Sequence, residues 1–205
     1  MSALDQIVKA YDIRGTVPDQ LDAEVAYALG VGFAEFVDSD EVVIARDMRP
    51  SGPELVDAFS RGVMEQGIDV VDIGLASTDL VYYVSGILDR PGVMFTASHN
   101  PAGYNGIKLC LAGARPVGID TGLAAVSSVA ENVLDGRRPA ICTRSGSRRE
   151  QDFLGAFADH VVGFIDPAEI GAMRVVADTA NGMGGLVVPA VFDRLPGVEL
   201  EVMYG

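Results

Sequence analysis

The sequence predicts the α/β class: a three-layer α/β/α domain on a mixed, mostly parallel sheet, followed by a truncated second α/β domain. Three observations support this. Short β-branched runs alternate with stretches of helical periodicity from Leu21 to Val133, the pattern of a mostly parallel sheet covered by helices on both faces. One connection, between the apolar runs at Val93 and Ile107, breaks the alternation. The periodicity then lapses from Asp135 to Glu150 ("DGRRPAICTRSGSRRE") and restarts as a β-α-β unit, whose two strands are too few for a stable covered sheet. The expected division is therefore 1–140 for the first domain and 141–205 for a linker and an incomplete second one.

Leu21 to Val37 repeats Val25, Leu29, Phe33 and Phe36 at three- and four-residue spacing, with Asp22 near its start, and reads as a helix. Glu41 to Ala45 is a β-branched strand. Ser51-Gly52-Pro53-Glu54 has the form of a capping box with proline in the first helical turn. The helix that follows sets Leu55, Phe59 and Val63 on one face and ends at Gly67. Asp69 to Ile73 is a second strand, Asp79 to Leu88 a helix, and Val93 to Phe95 a third strand.

A parallel crossover needs about a dozen residues or more, usually with a helix. The segment from Thr96 to Gly106 is shorter, and Pro101, Gly103, Asn105 and Gly106 forbid a helix within it. The strand at Ile107 is therefore expected to be antiparallel and on an edge. Its loop then stands free at the end of the sheet, where open α/β folds bind ligands. A helix from Thr121 to Val133 closes the unit. Beyond the linker come a helix from Gln151 to Phe164, a strand from Arg174 to Ala177, and the turn Asn181-Gly182-Met183-Gly184-Gly185. A further helix and a strand from Val198 to Met203 follow.

A net charge of −14 with only 15 lysines and arginines argues against a nucleic-acid partner. It also requires that the few cations converge if an anionic ligand binds. No apolar run is long enough to span a membrane, and the N-terminus from Met1 to Gln6 lacks the pattern of a secretory signal. Cys110 and Cys142 form no CxxC and have no histidine at metal-ligand spacing, so they read as reduced thiols of a cytoplasmic protein.

Chemistry concentrates in "TASHNPAGYNGIK". A serine hydrolase would need a base and an orienting acid around Ser98. His99 is its immediate neighbour, where side chains in extended backbone point apart, and no G-x-S-x-G elbow exists. Phosphate suits the loop better. Gly103 and Gly106 would let backbone amides approach an anion, and Lys108, one of only two lysines, supplies a point charge. "KAYDIRGTVP" places Arg14 in a tight turn ahead of Gly15. "IARDMRPSGPE" places Arg46, Asp47 and Arg49 between a strand's C-terminal end and a helix N-terminus, a position that favours anions. The plain alternative is that these arginines only pair with Asp12 and Asp47.

Taken in order along the chain, "YDIRG", "ARDMRPSGPEL" and "TASHNPAGYNGIK" resemble the α-D-phosphohexomutase family, in its bacterial phosphomannomutase/phosphoglucomutase branch. "VVADTANGMGG" looks like the opening of that family's second domain, and Tyr104 before Asn105 is more like the mannose/glucose branch than the phosphoglucosamine mutases. The resemblance implies that Ser98 carries a phosphoryl group, donates it to a hexose phosphate, and recovers another from the bisphosphorylated sugar after it turns end for end. It implies catalytic roles for Ser98, His99, Lys108 and Arg14, with His99 either an acid/base or a hydrogen-bond donor. Tyr11, Asn100 and Arg49 are the candidate substrate-binding residues, with Asn100 alternatively holding the loop by side-chain-to-backbone bonds. Mg2+ is the implied metal, held here only through the phosphate on Ser98, and a hexose 1,6-bisphosphate the implied activator and intermediate.

Departures accompany the match. Members of this family have four domains and more than twice this length, and their Asp-Gly-Asp-Gly-Asp-Arg metal loop has no counterpart here. The nearest run, Asp38-Ser39-Asp40, lacks the glycines. The chain thus reads as the N-terminal part of a mutase, inactive alone, whose partners are a mannose or glucose phosphate and the missing C-terminal domains. Two other classes stand beside this reading: a non-catalytic phosphosugar-binding or interaction module, and a dinucleotide-binding protein using Gly182-x-Gly184, although Val187 occupies the fingerprint's third glycine position.

Overall fold

Residues 4–137, 139–140 and 142–205 are described by a computed structural model. Arg138 and Ile141 of the expected linker, and Met1, Ser2 and Ala3 of the N-terminus, lie outside the described residues. Four strands of the main sheet run parallel. β2 (Glu41–Arg46) lies between β3 (Asp69–Leu75) and β4 (Gly92–Phe95), and β7 (Arg148–Glu150) extends the sheet beyond β3. β5 (Tyr104–Leu111) is antiparallel to β4, β1 (Ile13–Thr16) is antiparallel to β5, and the short β6 (Arg115–Pro116) pairs with the far end of β5.

Successive residues of a strand face opposite ways, so the central strands feed two cores. Val42, Ile44, Val70, Val93, Phe95 and Ile107 pack under α1 (Ala23–Phe36), α2 (Gly52–Glu65) and α4 (Leu123–Leu134). Val43, Ala45, Val71, Ile73 and Met94 pack under α3 (Thr78–Leu88) and, through Phe153 and Phe157, the start of α5 (Leu154–Val162). The expected three layers and mixed sheet are present. Phe33, Phe59 and Phe95 form a chain of rings, with centroids 6.1 and 5.5 Å apart, the second pair edge-to-face at 85°. Each ring is wholly buried, worth about 1.5–3 kcal/mol by area alone. Phe95 is the last residue of β4, so the chain enters the loop from Thr96 onward from a rigid anchor.

Four expectations are corrected here. The strand at Ile107 is antiparallel as expected but is not an edge. Arg14 lies not in a tight turn but in β1, opposite Gly106, and Ile13 faces Ile107. The alternating burial of Ile13-Arg14-Gly15-Thr16 is a strand's, and a four-residue strand beside a glycine is too short to be told from a turn by pattern. The capping box does not form either. Ser51 has helical backbone angles and makes no cap bond; its hydroxyl accepts instead from Asn105 Nδ2 at 2.9 Å.

The fourth correction concerns the linker, whose end is the strand β7. Arg148 secures it with hydrogen bonds to the buried Asp72 and to Asp57. Burial alone would lower the guanidinium's proton affinity, but the bonds to Asp57 and Asp72 outweigh it and the pKa is raised. A second, two-stranded parallel sheet, β8 (Met173–Asp178) with β9 (Val198–Met203), is joined by α6 (Gly184–Phe192). Its alternation follows the sequence reading closely.

Candidate active site

The loop after Phe95 sits at the C-terminal end of the parallel strand β4, beside the loop that follows β2. Arg49 joins the two. Its Nη1 donates to the carbonyls of Pro101 and Tyr104, and its Nη2 to those of Ser98 and Asn100, all at 2.8 Å. Its Nε donates to Asp47 Oδ2 at 3.1 Å. An arginine has five N–H donors in a planar fork, and all five are spent inside the protein. Asp47 and Arg49 are 5 % and 8 % exposed. The expectation that Arg49 contacts substrate fails for that reason: no donor is left, and the side chain is a clamp on the loop.

The clamp fixes an unusual backbone. Ser98 has φ +53°, the left-handed region that costs a residue with a Cβ roughly 1–2 kcal/mol. Ser98 N donates to Thr96 Oγ1 at 2.9 Å, and its carbonyl is held by Arg49. With both sides of the residue bonded, the conformation is imposed by the surroundings. The side chain is exposed. The kink also changes the relation to the next residue: His99 Nδ1 lies 3.5 Å from Ser98 Oγ, whereas extended backbone would turn the two apart. No carboxylate pairs with His99 among the described residues, so no triad is assembled.

Gly106 serves the strands rather than an anion. A Cβ there would lie 2.4 Å from the Ile13 carbonyl oxygen and 2.8 Å from that of Thr96. Only glycine permits this approach of β1 to β5 beside the loop. Asn105, wholly buried, ties the same place to α2 through Ser51 and accepts from the Gly106 amide at 2.8 Å. Sequence reasoning passed over Asn105 as a site-building residue; a buried amide between a loop and a strand leaves no periodic signal.

Arg14 and Lys108 do converge. Arg14 Nη1 donates to Asn100 Oδ1 at 2.7 Å, reaching the loop two residues from Ser98, and its Nη2 donates to Asp12 Oδ2 at 2.6 Å. Lys108 Nζ reaches the same Asp12 oxygen at 3.0 Å. Asn100 is therefore bonded to a cation rather than facing open solvent with its amide oxygen. The plain alternative from sequence, pairing of the arginines with Asp12 and Asp47, holds for both pairs, yet it does not disperse the site. Tyr11 is 80 % exposed, and its ring lies 3.5 Å from where a Cβ on Gly118 would sit. A cavity of ≈ 610 Å³ lined by Arg46, Asp57, Asp72, Arg148 and Leu186 lies at the ends of β2 and β3 and does not include Ser98.

Among the described residues, no group of three or more His, Cys, Asp or Glu side chains is placed to hold a metal ion. The described residues alone do not supply the oxygen ligand set that magnesium requires. The glycine turn at Asn181–Gly185 is used internally: Asn181 N donates to the Tyr204 carbonyl, and a Cβ on Gly185 would lie 2.8 Å from Gly205 Cα. No helix is long and apolar enough to cross a membrane among the described residues.

Residues 5–133 match the family phosphoglucomutase/phosphomannomutase, alpha/beta/alpha domain I. The chain is 38% identical over 190 residues to "Phosphohexose mutases" of Xanthomonas campestris, covering 92% of this chain and 41% of that protein. It is 35% identical over 195 residues to the phosphomannomutase of Escherichia coli K12, covering 95% and 42%. A crystal structure of a phosphoglucomutase/phosphomannomutase family protein from Burkholderia thailandensis superposes with a TM-score of 0.80 at 33% identity, over 100% of this chain and 44% of that one. The chain thus spans about two fifths of the length of the curated relatives it matches.

Proposed function

Because the chain belongs to the phosphoglucomutase/phosphomannomutase family, whose domain I it matches over residues 5–133, we propose that it carries the phosphoserine half-reaction of a hexose phosphate mutase. Ser98 Oγ takes a phosphoryl group from a hexose bisphosphate and returns one to a hexose monophosphate. The net reaction is interconversion of hexose 1-phosphate and hexose 6-phosphate, with mannose or glucose as the sugar.

The observation that carries this reading is the clamped loop: Arg49 holds four carbonyls around Ser98, and Ser98 adopts φ +53° with an exposed hydroxyl. Phosphoryl transfer has a loose transition state that asks for in-line positioning and charge compensation. A rigid hydroxyl supplies the first. Arg14 and Lys108, gathered on Asp12 beside Asn100, supply the second. As the P–O bond to the sugar breaks and that to Oγ forms, the hydroxyl proton passes to the sugar oxygen. His99, with Nδ1 3.5 Å from Oγ, is the residue placed to relay it. Asn100 orients Arg14, Tyr11 faces the sugar, and Arg49 acts as a positioning residue. A cytoplasmic setting follows from the substrate, since phosphorylated sugars do not cross membranes unaided.

The test is the intact mass of the 205-residue chain after exposure to glucose 1,6-bisphosphate. One added phosphoryl group on the wild type and none on Ser98→Ala is the expected result. No addition to the wild type, or equal addition to both, overturns the reading.

A further inference from the structure

Two kinds of cation meet at the loop, and they differ in how far their donors are used. Arg49 has spent all five on the protein. Arg14 has engaged two, through Nη1 and Nη2, and its buried Nε has no partner. Lys108 has engaged one of three. Arg49 is scaffold. Arg14 and Lys108 are held in place with capacity left over, as a group waiting for a ligand would be.

What holds them is a single oxygen. Asp12 Oδ2 accepts from Arg14 Nη2 at 2.6 Å and from Lys108 Nζ at 3.0 Å. These cations sit on adjacent strands, Arg14 opposite Gly106 and Lys108 two residues further along β5. Side by side they would repel each other and splay toward solvent. Asp12 is mostly buried, with 12% side-chain exposure against 23% and 26% for its partners, so its charge is little screened. The trio carries one net positive charge, and the bond from Arg14 to Asn100 directs it at the loop.

We infer that Asp12 is a positioning residue that stands in for phosphate: it holds Arg14 and Lys108 together while no phosphoryl group is present and competes with one when it arrives. This rests on the reading of Ser98 as phosphoryl carrier. A phosphoserine brings close to two negative charges and three acceptor oxygens, enough to draw on the spare donors of both cations. Asp12 then weakens their hold on the phosphoryl group, which keeps the phosphoserine from becoming too stable to give it away. The competition acts on binding, so its signature is thermodynamic.

Asp12→Asn removes the competing charge and keeps the side chain's shape. The first measurement is the affinity of inorganic phosphate for the unphosphorylated chain, by titration calorimetry at low salt. Asp12→Asn should bind about tenfold tighter or more, the size of effect one close charge has on a neighbouring ionic equilibrium. The double variant Asp12→Asn/Lys108→Met should lose that gain, and Asp12→Glu should restore weak binding. The second is the equilibrium ratio of phosphorylated to free Ser98 in a fixed mixture of glucose bisphosphate and monophosphate, read by intact mass. Asp12→Asn should shift it toward phosphoserine by a similar factor. A merely structural Asp12 would slow both directions and leave the ratio unchanged. Phosphate affinity that is unchanged or weaker in a folded Asp12→Asn overturns the inference. Tighter phosphate binding with no phosphorylation of the wild type keeps the competition of Asp12 with phosphate and overturns its part in a reaction at Ser98.

Discussion

Arg49 offers the sharpest test of how the loop is built. Truncating it to alanine leaves Asp47, 5 % exposed, as an uncompensated buried carboxylate and strands four loop carbonyls. Breaking a buried pair by removing one partner costs about 3–5 kcal/mol. Lysine keeps the charge but has at most three donors on a flexible stem, so at least two of five bonds are lost. Taken as roughly 1 kcal/mol each for carbonyls that water can partly reach, this is about 2 kcal/mol. Urea unfolding should therefore rank the wild type above Arg49→Lys, and that above Arg49→Ala. A loss near 5 kcal/mol would consume much of a small domain's stability, so the lysine variant is the informative one. Even folded, Arg49→Lys should phosphorylate Ser98 more slowly, because the left-handed backbone at residue 98 is no longer enforced. An Arg49→Lys protein with wild-type stability and an unchanged rate would refute the clamp.

Two further outcomes follow from the geometry. Gly106→Ala should destabilise the protein by about 3 kcal/mol, the upper end for overpacking, since its Cβ would meet the backbone oxygens of Ile13 and Thr96 at 2.4 and 2.8 Å; hydrogen exchange should show β1 opening first, and protected β1 amides would contradict this. Asp69 is held below its ordinary 3.8 by the backbone N–H of Ser147, then by that residue's hydroxyl, with Arg144 adding to the effect. Because the folded value is depressed, its contribution is fully present above 3.8 and fades as the pH falls through the lower folded value. The stability gap between wild type and Asp69→Asn should accordingly be constant above that point and narrow below it; a gap that persists undiminished in strong acid would contradict the assignment.

Much of this was legible in the sequence. The helices at Val25–Phe36 and Leu55–Val63 and the buried strands at Glu41, Asp69 and Val93 follow from period and β-branching, and the short link from Thr96 to Gly106 requires an antiparallel return. Ser98, Arg14 and Lys108 stand out by residue type, and they are drawn to one end of the sheet. What the chain's own order could not reveal is which donors are consumed. Arg49 reads as a ligand-binding arginine until its fork is seen closing on carbonyls some fifty positions away. Ser51 reads as a cap until Asn105 claims its hydroxyl, and the polar tail of the linker reads as unstructured until Arg148 meets Asp57 and Asp72. Periodicity and turn chemistry are local, so sequence determines which segments become strand, helix or loop. Hydrogen-bond satisfaction and charge pairing are settled between residues that meet only after the sheet has formed, so the tertiary structure alone decides whether a cation serves the scaffold or the ligand.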